Sequence, residues 1–90
     1  MNTIATPAAP KGFATFTAAA ERNGLEHGGR IALEDGVLAS AMVWLGDTVL
    51  AYVGYADGTE VLARRDIRED RTLPLTLAQA SRLMRAHVGR

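Results

Sequence analysis

Histidine, serine and paired carboxylates are the side chains through which a cysteine-free chain does chemistry near neutral pH, and in this sequence of 90 residues they are sparse. The two histidines, His27 and His87, are too few for a His-rich metal site and stand at no recognisable ligand spacing. Ser40 and Ser81 are the only serines, and neither sits in a Gly-x-Ser-x-Gly nucleophile turn. The acids gather where turns are expected, at Glu34-Asp35, Asp47 and Asp57, where Asp serves turn geometry rather than a paired-carboxylate centre. His27-Gly-Gly lacks the strand before and helix after that a phosphate-binding turn needs. Without cysteine there are no disulfides, thiolate nucleophiles, iron–sulfur clusters or cysteine zinc sites. The expectation is a non-catalytic protein with no cofactor and no metal.

Recognition of a partner is then the chemistry to look for, and the charges give a first lead. The net charge is zero, yet from Arg64 onward seven arginines face only Asp66, Glu69 and Asp70, so this segment is +4 and the rest −4. Such polarity orients a protein on a complementary surface, whereas a neutral total disfavours nonspecific nucleic-acid binding. The run Arg64-Arg-Asp-Ile-Arg-Glu-Asp-Arg71 reads as a solvated strand end and loop, or as a polar docking segment through Arg64, Arg65, Arg68 and Arg71. No apolar stretch approaches the ~20 residues of a membrane span, and Met1 to Lys11 lacks the basic opening and apolar core of a signal peptide. A cytoplasmic protein is expected. Lys11 is the only lysine and alanine is abundant, a coding bias that points to a bacterial cell or one infected by phage.

The elements that would position such a surface are legible in the periodicity. Residues 1–11, with two prolines and no period, read as a flexible tail, and 12–90 as one small domain. Phe13, Phe16 and Ala20 share one side of a helix predicted near 14–23, closed by Asn23-Gly24 in a Schellman-type end with Leu25 folding back. From Arg30 on, short apolar runs separated by Asp35-Gly36, Gly46-Asp47 and Asp57-Gly58 predict an antiparallel meander with strands near 30–34, 37–45, 48–56 and 59–66. Thr76-Leu-Ala-Gln79 is a capping box that opens a last helix with the stripe Leu77, Ala80, Met84 and Val88, widened by Leu83. The fold expected is α+β, an antiparallel three- to four-stranded meander with an N-terminal and a C-terminal helix packed on one face. This helix–sheet–helix order resembles the double-stranded-RNA-binding domain in topology alone, since Thr76-Leu-Ala-Gln-Ala carries none of the lysines with which that family opens its last helix.

If every turn is a two-residue loop, the pairing sorts side chains by face. Trp44 lies by Val49, Met42 by Ala51, Leu33 by Leu38, Tyr55 by Glu60 and Val53 by Leu62. One face then holds Ile31, Leu33, Leu38, Met42, Trp44, Val49, Val53, Tyr55 and Leu62, bulky enough to be the seat of the helices. The other carries Val37, Ala39, Ala41, Val43, Leu50, Tyr52, Gly54, Val61 and Ala63, and two short helices do not cover both. Val43, Leu50 and Tyr52 are therefore the expected partner contacts, reinforced by Arg64, Arg65, Arg68 and Arg71. The function expected is that of a small protein-binding module, at class level a phage or mobile-element inhibitor of the anti-CRISPR type. It would occupy the surface of a larger protein or ribonucleoprotein complex, with a homodimer as a further partner. The alternative is a nucleic-acid-binding or regulatory protein acting through the Arg-rich C-terminal segment.

Overall fold

The computed structural model describes residues 9–89. The part of the expected tail at residues 1–8 lies outside them. The chain runs α1 (Lys11–Arg22), β1 (Arg30–Glu34), β2 (Val37–Leu45), β3 (Thr48–Tyr55), β4 (Glu60–Asp66), β5 (Arg71–Pro74) and α2 (Leu77–Val88). The strands form one five-stranded antiparallel meander in the order β1-β2-β3-β4-β5, an α+β fold with one strand more than the sequence suggested.

Local chemistry explains most boundaries. Helix α1 starts at Lys11, directly after Pro10. Its end is a full Schellman motif, with Leu25 N–H donating to Ala20 O at 2.9 Å and Gly24 N–H to Glu21 O at 3.0 Å. At the start of α2, Gln79 N–H donates to Thr76 Oγ1 (3.1 Å) while Thr76 N–H donates to Gln79 Oε1 (2.9 Å), the expected capping box. Strand β5 hides in the sequence behind the charge run, because Arg71-Thr-Leu-Pro74 has neither alternating hydrophobicity nor length. Asp70, at φ 51°, turns the chain into it, and Leu73 and Thr72 pair with Arg64 and Arg65.

Two of the three expected hairpin loops have the expected length. Asp35 and Gly36 both take positive φ (52° and 81°), as a type I′ turn requires, and Gly46-Asp47 joins Leu45 to Thr48. The third loop differs. Gly58 N–H donates to Tyr55 O (3.0 Å) and Tyr55 N–H to Thr59 O (2.7 Å), so Ala56-Asp57-Gly58 is a three-residue loop with Gly58 at φ 95°. This is a type I turn closed by a glycine bulge, a conformation that a side chain at position 58 would strain. Asp57 Oδ1 accepts the Thr59 N–H at 2.8 Å, which holds the Asp57 carboxyl below the usual range.

One extra loop residue moves every β4 side chain to the opposite face. Val61, not Leu62, pairs with Val53, and Leu62 pairs with Tyr52. A second irregularity fans the sheet at its other end, where Arg30 to Glu34 of β1 spans Ser40 to Val37 of β2, which spans Val53 to Tyr55 of β3.

Both helices lie on one face of the sheet, but it is not the bulky one. Phe16, Ala19 and Ala20 of α1 and Ala80 and Met84 of α2 pack with Ala39, Ala41, Val43, Leu45, Leu50 and Tyr52. The expectation that Met42, Trp44 and Val53 seat the helices is overturned, and the reason is volume. The Ala39, Ala41 and Gly54 positions leave a hollow that admits Phe16 and the alanine-rich helix backbones, whereas Trp44 and Met42 would hold a helix away from the sheet. Gly54 shows how close the approach is: a Cβ there would lie 2.7 Å from Pro10 Cγ and 2.8 Å from Tyr52 Oη. Tyr52 fills the centre, its ring 6.0 Å from Phe16 at 24° and 6.1 Å from Phe13 at 56°.

Candidate docking face

The three apolar residues expected to meet a partner are core. Val43 and Leu50 are 0% exposed and Tyr52 is 2%, all beneath the helices. They offer a partner nothing to touch. Tyr52 instead anchors a polar clamp: its hydroxyl donates to Glu60 Oε1 at 2.5 Å, and the same oxygen accepts Gly12 N–H at 2.8 Å. Helix α1 has no side-chain cap of its own. The Glu60 carboxylate, reaching from β4, supplies the acceptor and the negative charge its N-terminus needs. Burial, then the hydrogen bond to and charge of Glu60, push the Tyr52 phenol well above its ordinary value.

Among the described residues, the opposite face is the uncovered one. Reading across the strands, its rows are Arg30–Ser40–Val53–Val61, Met42–Ala51–Ala63–Pro74 and Trp44–Val49–Arg65–Thr72. Trp44 is 59% exposed and Met42 48%, with Val61 also exposed and Ala51, Val53 and Ala63 half-buried. Soluble sheets with one wet face normally alternate apolar with polar residues; here the wet side is apolar through its middle. A concavity of 460 Å³ opens on it, lined by Met42, Trp44, Ala51 and Val53 and walled by Glu26, His27 and Gly28 of the α1–β1 loop. That wall is tied down: Met42 N–H donates to His27 O at 2.8 Å, and Gly29 N–H donates to His27 Nδ1 at 2.8 Å.

Ser40 and His27 both line this concavity, which raises nucleophilic chemistry directly. Accepting from Gly29 places the ring proton on Nε2, which donates to Glu21 Oε1 at 3.1 Å. Both ring nitrogens are committed, and none is left to take a proton from a serine hydroxyl. Among the described residues, no group of three or more His, Asp or Glu side chains is gathered as for a metal ion.

The four candidate arginines do not act together. Arg65 faces the open side and is held by Asp70 and by Thr72 Oγ1 (3.0 Å); Arg68 pairs with Asp47 at 3.7 Å and Arg71 with Glu69 at 3.0 Å. These exposed pairs contribute little to stability, each about 0–1 kcal/mol, but they neutralise the run locally. Arg64 lies on the helix side, lining a concavity of 370 Å³ with Leu75, Gln79, Arg82 and Leu83. The sequence misplaced Met42, Trp44 and Val53 because their exposure depends on which face receives the helices, and the signal available was the small-residue pattern at Ala39, Ala41 and Gly54.

Comparison with protein-family models, with curated proteins and with solved structures finds no match. No helix among the described residues is long and apolar enough to cross a membrane.

Proposed function

We propose that the protein is a non-catalytic protein-binding module that docks the open face of its sheet, centred on Trp44 and Met42, onto an apolar surface of a larger partner protein. The observation that supports this is the exposed tryptophan that borders the apolar middle of a sheet face neither helix covers. Tryptophan in a shallow apolar concavity is the side chain that most often anchors an interface, because it buries a large rigid area at small entropic cost. The docking contacts therefore move from Val43, Leu50 and Tyr52 to Trp44, Met42, Val53 and Val61. In its narrower form, as an anti-CRISPR-type inhibitor carried by a phage or mobile element, the proposal draws on chain size and composition.

The test is phage plaquing on a host with an active CRISPR–Cas system that expresses the protein. Plaquing rises with the native chain and falls back with a folded Trp44→Glu variant. If Trp44→Glu inhibits as well as the native chain, the docking face is wrong. If the native chain has no effect, the narrower inhibitor reading falls.

A nucleic-acid reading has one observation in its favour: α2 carries Arg82 and Arg85 with no acid, and Arg82 shares a concavity with Arg64. Phosphate contacts there give binding to a short duplex that weakens steeply with salt. A flat salt dependence, or no binding at low salt, removes it.

A further inference from the structure

The two edges of the sheet are treated differently. On the β5 side, a four-residue strand ends in Pro74, which has no N–H to offer, and begins at the charged Arg71. That is how proteins blunt an edge against pairing. On the β1 side all five residues, Arg30 to Glu34, are exposed, and among the described residues the outer backbone groups have no neighbour in the strand order. There is no proline or lysine there, and Leu33 is 62% exposed.

The edge is also self-complementary. Arg30-Ile-Ala-Leu-Glu34 reads cation, apolar, small, apolar, anion. Arg30 and Glu34 reach each other on one side of the strand (Nη2 to Oε2, 3.4 Å), which places both charges on the same face. We propose that β1 pairs with β1 of a second copy, antiparallel about a two-fold axis through Ala32. Arg30 then lies opposite the second copy's Glu34 at both ends, Ile31 opposite Leu33, and Ala32 opposite itself. Centring the axis on Ile31 or on Leu33 instead leaves both Arg30 and Glu34 of each copy without an opposite charge across from them, and parallel pairing sets like charges side by side. Opposite charges directly across an antiparallel pair attract, and like charges repel, so the central register is selected.

An axis of this kind stands perpendicular to the sheet. It keeps the helices of both copies on one side and makes the two open faces continuous on the other. The pairing stands independently of the docking role of that face; taken with the proposed function, it presents two Trp44 anchors to one partner. A five-residue edge contact falls short of the roughly 1,200 Å² that stable interfaces bury, and the irregular β1–β2 register adds twist, so the dimer is weak and concentration-dependent.

A weak two-fold contact is best trapped covalently, and the chain has no cysteine of its own. Directly opposed Cβ atoms lie about 4.5–5.5 Å apart in an antiparallel pair, which a disulfide bridges with modest adjustment. Under mild oxidation at low protein concentration, an Ala32→Cys variant forms a reducible dimer, whereas Leu73→Cys on the β5 edge does not. Adding Glu34→Arg to Ala32→Cys slows crosslinking about tenfold as two attractive pairs become repulsive, and adding Arg30→Glu as well restores it. Equal crosslinking of Leu73→Cys, indifference to Glu34→Arg, or failure of the charge swap to rescue overturns the proposal, as does no crosslinking of Ala32→Cys. Trp44→Glu leaves the crosslinking unchanged; its loss would mean that the copies meet face to face instead. Because every β1 side chain is exposed, as are Leu73 and Trp44, these variants retain the native circular dichroism, which is recorded alongside.

Discussion

Strands β2 and β3 carry apolar residues on both sides, yet one side is the core and the other is open. Ala39, Ala41, Val43, Leu50 and Tyr52 lie beneath the helices; Met42, Trp44 and Val53 lie on the uncovered face. The open side has the larger side chains, so hydrophobicity alone did not choose. What chose was shape: α1 and α2 bring alanines with Phe16 and Met84, and these fit a sheet surface where Ala39 and Ala41 leave room beside Val43, Leu50 and Tyr52. Burying a large apolar side chain contributes about 1.5–3 kcal/mol, but only where neighbours can close around it.

The comparison predicts opposite responses to the same kind of substitution. Leu50→Glu, on the covered side, places an unpaired carboxylate under both helices. Its cost exceeds the roughly 5 kcal/mol available to a domain this small, and the far-ultraviolet circular dichroism of a folded chain is lost at 25 °C. A folded Leu50→Glu protein would mean that the helices are not seated on that face.

Gly54→Val overpacks the close contact of the covered face with Pro10 and the Tyr52 hydroxyl, at a cost of about 2–3 kcal/mol in urea unfolding. Ala51→Val, its nearest counterpart on the open side, is tolerated. Comparable losses for the two would erase the distinction between the faces.

Tyr52→Phe keeps the ring packing and removes the phenol that donates to Glu60, costing about 2 kcal/mol at neutral pH because the acceptor is charged. The native phenol holds its proton more tightly than the unfolded one. Its contribution is therefore complete below the unfolded value near pH 10 and is lost as pH rises through the higher folded value. Native protein shows this alkaline decline in stability and Tyr52→Phe lacks that component. Parallel alkaline limbs in the two proteins would show that the clamp does not hold.

The smallest effect on stability belongs to Trp44→Glu, within about 0.5 kcal/mol, because the indole is 59% exposed and lies outside the core cluster. Its fluorescence in the native protein, which has no other tryptophan, is that of an exposed indole. A blue-shifted emission, or a large loss of stability in the variant, would place Trp44 in a core and reverse the assignment of faces.

Much of this was legible in the residues. The Schellman end at Asn23-Gly24-Leu25, the capping box at Thr76 and Gln79, and the turns at Asp35-Gly36 and Gly46-Asp47 are short-range devices, complete within a few residues, and each formed as its sequence indicates. Ala56-Asp57-Gly58 was less legible, because Asp-Gly suits a two-residue loop as well as a three-residue loop with a bulge. β5 was illegible for a related reason: Arg71-Thr-Leu-Pro74 becomes a strand only because Arg64 and Arg65 are there to pair with it. The candidate site fared worse than the fold. Arg65 and Arg71 turned out to be paired with Asp70 and Glu69 of their own run, and Arg68 with Asp47, a partner that local order does not reveal.

The sequence by itself determined that this chain makes an antiparallel meander between two helices, and that two short helices leave one face of the sheet bare, since turn chemistry and helix length are local properties. Only the tertiary structure decided which face. That choice rests on one extra residue before Thr59, which sets the side of β4, and on the fit of Phe16 and the helix alanines into the hollow at Ala39, Ala41 and Gly54, a match of volumes between residues far apart in the chain.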